Sequence, residues 1–298
     1  MISTEYDIAI ICDGDEKYGY GHIRRSQTLY QDFQQGKLKV AIHALSEKGK
    51  GLLGEETREL VSAKVYLVDT PYPIDEIVTS LQLSGKVVGL DYRGTAELSH
   101  GIYTFIHPEQ HVQSTHSSGF EYCIIRQDFK RLDRQSVNGN KEVLVAIGGA
   151  DVNNQSVSIA NHLHTIGAKV SLVLGPLTSS EQQAQLNPEV KVVRNPANFA
   201  QLLNQSDWVV CNGGGTLFES RFLGKPCYVV PQTDAEQRVA KTLSENGEIL
   251  GLGFEHLKSQ TALFDIETLR SYQTSCIDGL GTSKILQILM EVLCQKNG

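Results

Sequence analysis

Three glycines, Gly213 to Gly215, are followed by Thr216 and, one helical turn further on, by Glu219. The run from Ser206 to Asn212 ahead of them reads as a short buried strand, so the glycines let the backbone turn at its end and approach a ligand closely. A helix opening at Thr216 presents unpaired N–H groups and the positive end of its dipole, the chemistry that receives a phosphate or diphosphate. Gly214, Gly215 and Thr216 are the candidate donors, with Asn212 beside them at the strand end. From one turn in, the Glu219 carboxylate can accept hydrogen bonds from a ribose diol, as an acidic residue does in dinucleotide folds. The bland alternative is a Gly-rich turn with Glu219 as a solvated helix residue. A second apolar run, Cys227 to Pro231, leads into a polar loop with Asp234 and Gln237, which extends the candidate site.

A different chemistry is available near the N-terminus. Asp13 follows the first apolar run, and the loop beyond it closes with Gly19-Tyr20-Gly21-His22. His22 stands at the mouth of a helix expected over residues 23–33. The positive end of that helix disfavours an imidazolium by ~0.3–1 kcal/mol, which helps to keep the ring neutral near pH 7. A neutral imidazole is a candidate general base; the alternative is a cap that bonds only to backbone. Lys17, Arg24 and Arg25 can lend charge to a diphosphate, or Arg24 and Arg25 can sit on a solvated helix face. A third loop, Ile147 to Gln155, carries Gly148 and Gly149, and Asp151 or Asn153 is placed to cap the next helix. Ligand contact and a plain turn both remain open there.

Positioning these loops requires strands that end where they begin, and the pattern supplies them. Apolar, β-rich runs occur at 7–12, 38–43, 65–68, 86–90, 103–106 and 122–125, and again at 142–147, 170–174, 190–193, 208–211 and 227–230. Alternation with helical patterns predicts an α/β protein with parallel sheets covered on both faces. Ligands in such sheets bind beyond the carboxyl ends of the strands, where all three loops fall. The polar segment 131–141, with its Asn138-Gly139 turn signal, sets an expected boundary between domains at 1–136 and 137–298. The interrupted apolar stretch 285–294 reads as an amphipathic closing helix, too short to span a bilayer and able to pack back on the N-terminal domain.

Composition narrows the class. A chain of 298 residues with 40% hydrophobic and 20% charged residues is ordinary globular protein. A formal net charge of −7 argues against a general nucleic-acid binder, which needs a basic face. Six scattered cysteines without a CxxC pair suit thiols in a reducing cytoplasm. The first residues show no basic segment followed by an apolar run, so no signal peptide is expected. His100, His107, His111 and His116 share one region, but Pro108 argues against a helix that would aim His107 and His111 together, and no metal site is expected.

Four segments stand in a telling order: Gly19 to Arg25, Tyr122 to Phe129, Ala146 to Asn154 and Gly213 to Gln237. Together, over most of the chain, they resemble the UDP-2,4-diacetamido-2,4,6-trideoxy-β-L-altropyranose hydrolases of pseudaminic acid biosynthesis. The last segment is similar more widely to GT-B glycosyltransferases such as the lipid II UDP-GlcNAc transferase. The resemblance implies a GT-B fold with two Rossmann-like domains facing across a cleft, and neither metal nor cofactor. It implies UDP held mainly by the C-terminal domain, at Gly148, Gly149, Asn212, Gly214, Gly215, Thr216, Glu219 and Gln237, with Gly19, Gly21 and Arg25 also lining the substrate. His22 would activate water for attack at the anomeric carbon, with Asp13 nearby on the sugar side. The chain departs from the family pattern at Ile11, where an Arg is usual, and at Asp69-Thr-Pro-Tyr72, where the Tyr comes one place late. The expected function is therefore a cytoplasmic nucleotide-sugar hydrolase of surface-glycan precursor synthesis, working beside other pathway enzymes. A glycosyltransferase using a UDP-sugar donor and a non-catalytic nucleotide-sugar binding subunit are the alternatives.

Overall fold

The computed structural model describes residues 6–15, 19–106, 109–148, 151, 153–174, 184–275 and 277–295. It divides into two compact units, residues 1–126 with 278–298 and residues 127–277.

The first unit carries β1 (Tyr6–Cys12), β2 (Val40–Ala44), β3 (Ala63–Asp69), β4 (Lys86–Leu90), β5 (His100–Tyr103) and β6 (His116–Ser118). All pair in parallel, in the order β2-β1-β3-β4-β5-β6. Because successive strand residues point to opposite faces, β1 serves two cores at once. Ile8, Ile10 and Cys12 pack against the Gly21–Gln34 helix, while Ala9 and Ile11 pack on the other face with Val78 and Leu81 of the Asp75–Leu81 helix. Ile11 is fully buried there, a core position rather than a solvated one. The helix Gly281–Cys294 returns to the first of these cores through Ile285, Ile288, Leu289 and Val292. Their i, i+3, i+4, i+7 spacing makes one apolar stripe. Lys86 secures the helix end by donating to the Val292 carbonyl at 2.9 Å.

The second unit carries β7 (Glu142–Ala146), β8 (Lys169–Leu174), β9 (Lys191–Arg194), β10 (Trp208–Cys211), β11 (Cys227–Val229) and β12 (Gly251–Leu252). These are parallel in the order β12-β11-β10-β7-β8-β9. The segment expected to divide the domains belongs to this unit, so the division falls at 126/127 instead of 136/137. Side chains of unit two hold it: the Asp207 carboxylate accepts from Asn138 N at 2.8 Å and Glu142 N at 3.2 Å. Lys225, buried and lowered by that burial to a pKa of about 8, donates to the carbonyls of Gln135 at 2.8 Å and Ser206 at 3.0 Å.

Two expected strands differ. The run 122–125 is not a strand but follows a 3-10 turn at Phe120–Tyr122, although Cys123 and Ile125 are buried as a strand's residues would be. The sheet edge is taken instead by His116-Ser-Ser118, whose polar character suits an exposed edge and leaves no hydrophobic signature. The run 103–106 starts where β5 ends, at Tyr103.

In each sheet the strand order reverses once. The first reverses beside β1, with Cys12 registered against Asp69 of β3; the second reverses beside β7, with Ala146 registered against Cys211 of β10. Such switch points open a crevice at the carboxyl ends of the strands, the usual ligand position in α/β sheets.

Candidate functional site

At the first switch point, β1 delivers Asp13, β3 delivers Asp69, and the helix that begins at Gly21 delivers His22 and Arg25. Gly19 takes a positive φ of 78°, which turns the chain into that helix, and Tyr20 is its cap residue. His22 Nδ1 lies 2.7 Å from Asp69 Oδ1. Asp69 is fully buried and also receives Arg25 Nη2 at 2.5 Å, Arg25 Nε at 2.9 Å and Ser26 Oγ at 2.7 Å. Burial alone would raise the Asp69 carboxyl, but the Arg25 charge and then His22 hold it well below the usual carboxylate range. Two groups reach Nδ1: the ionised Asp69 carboxylate, which only accepts, at 2.7 Å, and Arg25 Nη2, which only donates, at the longer 3.2 Å; the shorter contact assigns the proton to Nδ1 and leaves the Nε2 lone pair. Burial, and after it the Arg25 charge, lower the His22 pKa from its ordinary 6.5, against the opposing pull of Asp69 and Asp91. The ring is therefore neutral at pH 7 and able to take a proton.

The Arg25 guanidinium, expected to lend charge to a diphosphate, is occupied within this unit. Its Nη1 donates to Asp91 Oδ2 at 2.6 Å while Nε and Nη2 hold Asp69. Asp13 is 2% exposed and committed to its neighbours. It accepts from Ser46 Oγ at 2.6 Å and from the Tyr72 hydroxyl, so it ties the loops after β1, β2 and β3 together. Gly21 is exposed at the start of the helix.

At the second switch point, the loop after β10 runs from Asn212 through Gly213 and Gly214 into the helix Gly215–Phe222. Gly214 is its cap residue and makes no side-chain cap bond; Leu217 N returns to the Gly214 carbonyl at 3.0 Å, and among the described residues no side chain accepts from the N–H groups of Gly215 and Thr216. A Cβ on Gly213 would come within 2.7 Å of the Glu236 backbone oxygen, which is why only glycine fits. Gly148, at the end of β7 with φ 77°, brings its backbone against the Asn212 amide. Thr216 is half-buried, and Glu219, one turn in, is buried at 6% exposure. Gln237 is exposed on the helix Asp234–Glu245 rather than in a loop. Gly149 lies outside the described residues.

Asp151 performs the capping expected of it or Asn153, accepting from Gln155 N at 2.9 Å and Ser156 N at 3.1 Å. Asn153 instead donates its backbone N–H to Gln232 at 3.1 Å. Glu236 was not singled out by spacing, yet it braces the glycine loop. Its carboxylate accepts from Asn212 Nδ2 at 2.6 Å and from Gln232 N at 2.7 Å. Burial raises the Glu236 pKa, and those two donors partly offset the rise. Among the described residues, the Asn212 Oδ1 atom is buried without a hydrogen-bond partner.

Among the described residues, no helix is long and apolar enough to cross a membrane.

Two parallel α/β units of this kind define the GT-B fold, and solved structures share it. The chain superposes on the MurG structure from Acinetobacter baumannii with a TM-score of 0.65 at 12% identity, covering 96% of this chain and 99% of that one. The rhamnosyltransferase SpnG in complex with thymidine diphosphate gives 0.55 at 14% identity, covering 96% of each chain. No family model matches the sequence. Among curated proteins, the chain is 23% identical to the spore coat polysaccharide biosynthesis protein SpsG of Bacillus subtilis, over 97% of this chain and 99% of the relative. It is 20% identical to the UDP-2,4-diacetamido-2,4,6-trideoxy-beta-L-altropyranose hydrolase of Campylobacter jejuni, over 77% of this chain and 94% of that protein. The resemblance carried by the four motifs is thus borne out as a distant relationship.

Proposed function

We propose that this chain is a nucleotide-sugar hydrolase that releases UDP from a UDP-linked sugar without a metal, in the cytoplasmic synthesis of a surface-glycan precursor. The observation that carries the reading is the His22–Asp69 pair at the first switch point: a neutral imidazole with its Nδ1 proton held by a buried carboxylate and Nε2 left to act. In the proposed step, a water oxygen attacks the anomeric carbon while Nε2 takes the water proton. The bond from that carbon to the β-phosphate oxygen breaks, and its electron pair leaves with UDP. The imidazolium formed is stabilised by Asp69, as in other base–carboxylate pairs. The second crevice holds the nucleotide: N–H groups at Gly214, Gly215 and Thr216 meet the leaving diphosphate, Glu219 the ribose, and Gly148, Asn212 and Gln237 contribute the remaining contacts. Asp13 orders the sugar side through Tyr72 and Ser46. The name of the Campylobacter jejuni relative supports hydrolysis, and the name of SpsG supports polysaccharide synthesis.

A second reading is transfer of the sugar to an acceptor hydroxyl, favoured by the rhamnosyltransferase SpnG among the structural neighbours. Supplying a panel of UDP-sugars without acceptor and following UDP release separates the two. Release with water alone, lost in His22→Asn while UDP still binds, supports hydrolysis. Release only when an acceptor is added supports transfer, and binding with no release under either condition leaves a nucleotide-sugar binding subunit.

A further inference from the structure

We infer that Arg25, braced by Asp91, is a positioning residue for His22 and not a ligand of the diphosphate. The inference rests on the proposed role of His22 as the base and deepens it.

The guanidinium sits at the centre of a chain of charges running across the carboxyl ends of three strands. Asp69 ends β3, Asp91 follows β4, and Arg25 reaches both from the first turns of the helix behind β1. Nε and Nη2 grip both oxygens of Asp69, so that carboxylate cannot rotate, and the oxygen facing Nη2 is the one that receives His22 Nδ1. Asp91 is itself pinned. It adopts a left-handed backbone, φ 48°, that non-glycine residues rarely take, and its carboxylate accepts from Thr104 N at 2.7 Å and Thr104 Oγ1 at 3.0 Å. Backbone strain of this kind persists where the surroundings over-determine it, and here it aims a carboxylate at Nη1. With two carboxylates on one guanidinium, little net positive charge remains for a ligand, whereas a diphosphate clamp keeps its fork open.

Arg25 acts on His22 in two ways. It fixes the oxygen that sets the tautomer and ring orientation. It also places a cation near the imidazole, which disfavours a second proton there. The charged groups facing His22 are Arg25 on its own helix, Asp69 from β3 and Asp91 from the loop after β4, and the two acids act in the opposite sense.

The test is a titration of His22 by NMR on full-length protein labelled at histidine Cε1, with the His22→Gln spectrum assigning the signal among nine histidines. In Arg25→Gln the His22 midpoint is expected to rise by about one unit, since a neighbouring cation shifts a pKa on that scale. Turnover of a UDP-sugar is expected to fall ~10²-fold, the scale of a misplaced catalytic group, with the Kd for UDP within about twofold of the wild type. Arg25→Lys keeps the charge and loses the fork, so its His22 midpoint stays low while turnover falls; it also serves if Arg25→Gln does not fold. An unmoved His22 midpoint in Arg25→Gln, or a loss of UDP affinity that matches the loss of turnover, overturns the inference. Full turnover in His22→Gln would instead strike the base assignment itself, whatever Arg25 does.

Discussion

Replacing Asp69 by Asn is the sharpest perturbation of the proposed base. The carboxylate now accepts from His22 Nδ1, Arg25 Nη2 and Nε, and Ser26 Oγ, with no exposed surface of its own. An amide of the same shape keeps one accepting oxygen and adds an NH2 group. If that NH2 faces His22, Nδ1 must accept and the ring proton moves to Nε2, which can then no longer take a proton from water. In either orientation the NH2 also opposes a donor of Arg25, Nη2 at the oxygen that faces His22 or Nε at the other. The matching change in the Ser-His-Asp triad lowers kcat by ~10⁴, and the same tautomer argument applies here. That is ~5.4 kcal/mol of barrier at 1.36 kcal/mol per decade. Breaking a buried ion pair costs ~3–5 kcal/mol of stability, less here because Arg25 keeps Asp91, so roughly 2–3 kcal/mol is expected. For units of this size that is a fall of ~5–10 °C in Tm. UDP release kinetics, thermal melting and UDP titration calorimetry read the three consequences separately. The expected pattern is kcat down by three to four decades (roughly, on the triad precedent) with UDP affinity unchanged. Turnover within tenfold of the wild type, in protein shown to be folded, would refute the reasoning.

Two further outcomes are expected. Glu219→Ala should weaken UDP binding by roughly 1–3 kcal/mol, the scale for hydrogen bonds to a charged group, and calorimetry would show unchanged affinity if the ribose role is wrong. The pH dependence of kcat/KM should keep its plateau to below pH 6.5. The working form of His22 is the neutral one, and burial with Arg25 depresses its folded pKa, so activity is lost only as pH falls through that lowered value. An acid limb above pH 6.5 would contradict this environment.

Most of the strands were legible because parallel sheets buried on both faces leave continuous apolar runs, as in 7–12, 86–90, 142–147 and 208–211. β6 and β12 were not. One is a polar edge strand and the other has two residues, so neither leaves a hydrophobic trace. The polar segment 131–141 packs with the second unit through Asp207 and Lys225, residues far along the sequence whose contacts leave no local signal. The glycine loop and His22 were visible from type and spacing. Asp69 as the partner of His22 was not, since it lies 47 positions away and the pairing depends on β3 lying beside β1. Glu236 was hidden for a similar reason: its role comes from a helix start folding back onto the loop after β10. A signal was present for Asp69, an acidic residue immediately after the run 65–68, the position at which α/β sheets present functional groups.

The central claim is that water attacks the anomeric carbon and that His22 takes its proton. A single turnover in ¹⁸O-labelled water, with mass spectrometry of both products, tests it directly. One label is expected in the released sugar, none in UDP, and no labelled product from His22→Asn. Label in the UDP phosphate would mean attack at phosphorus, and sugar released unlabelled or only with an acceptor hydroxyl would contradict hydrolysis at the anomeric centre.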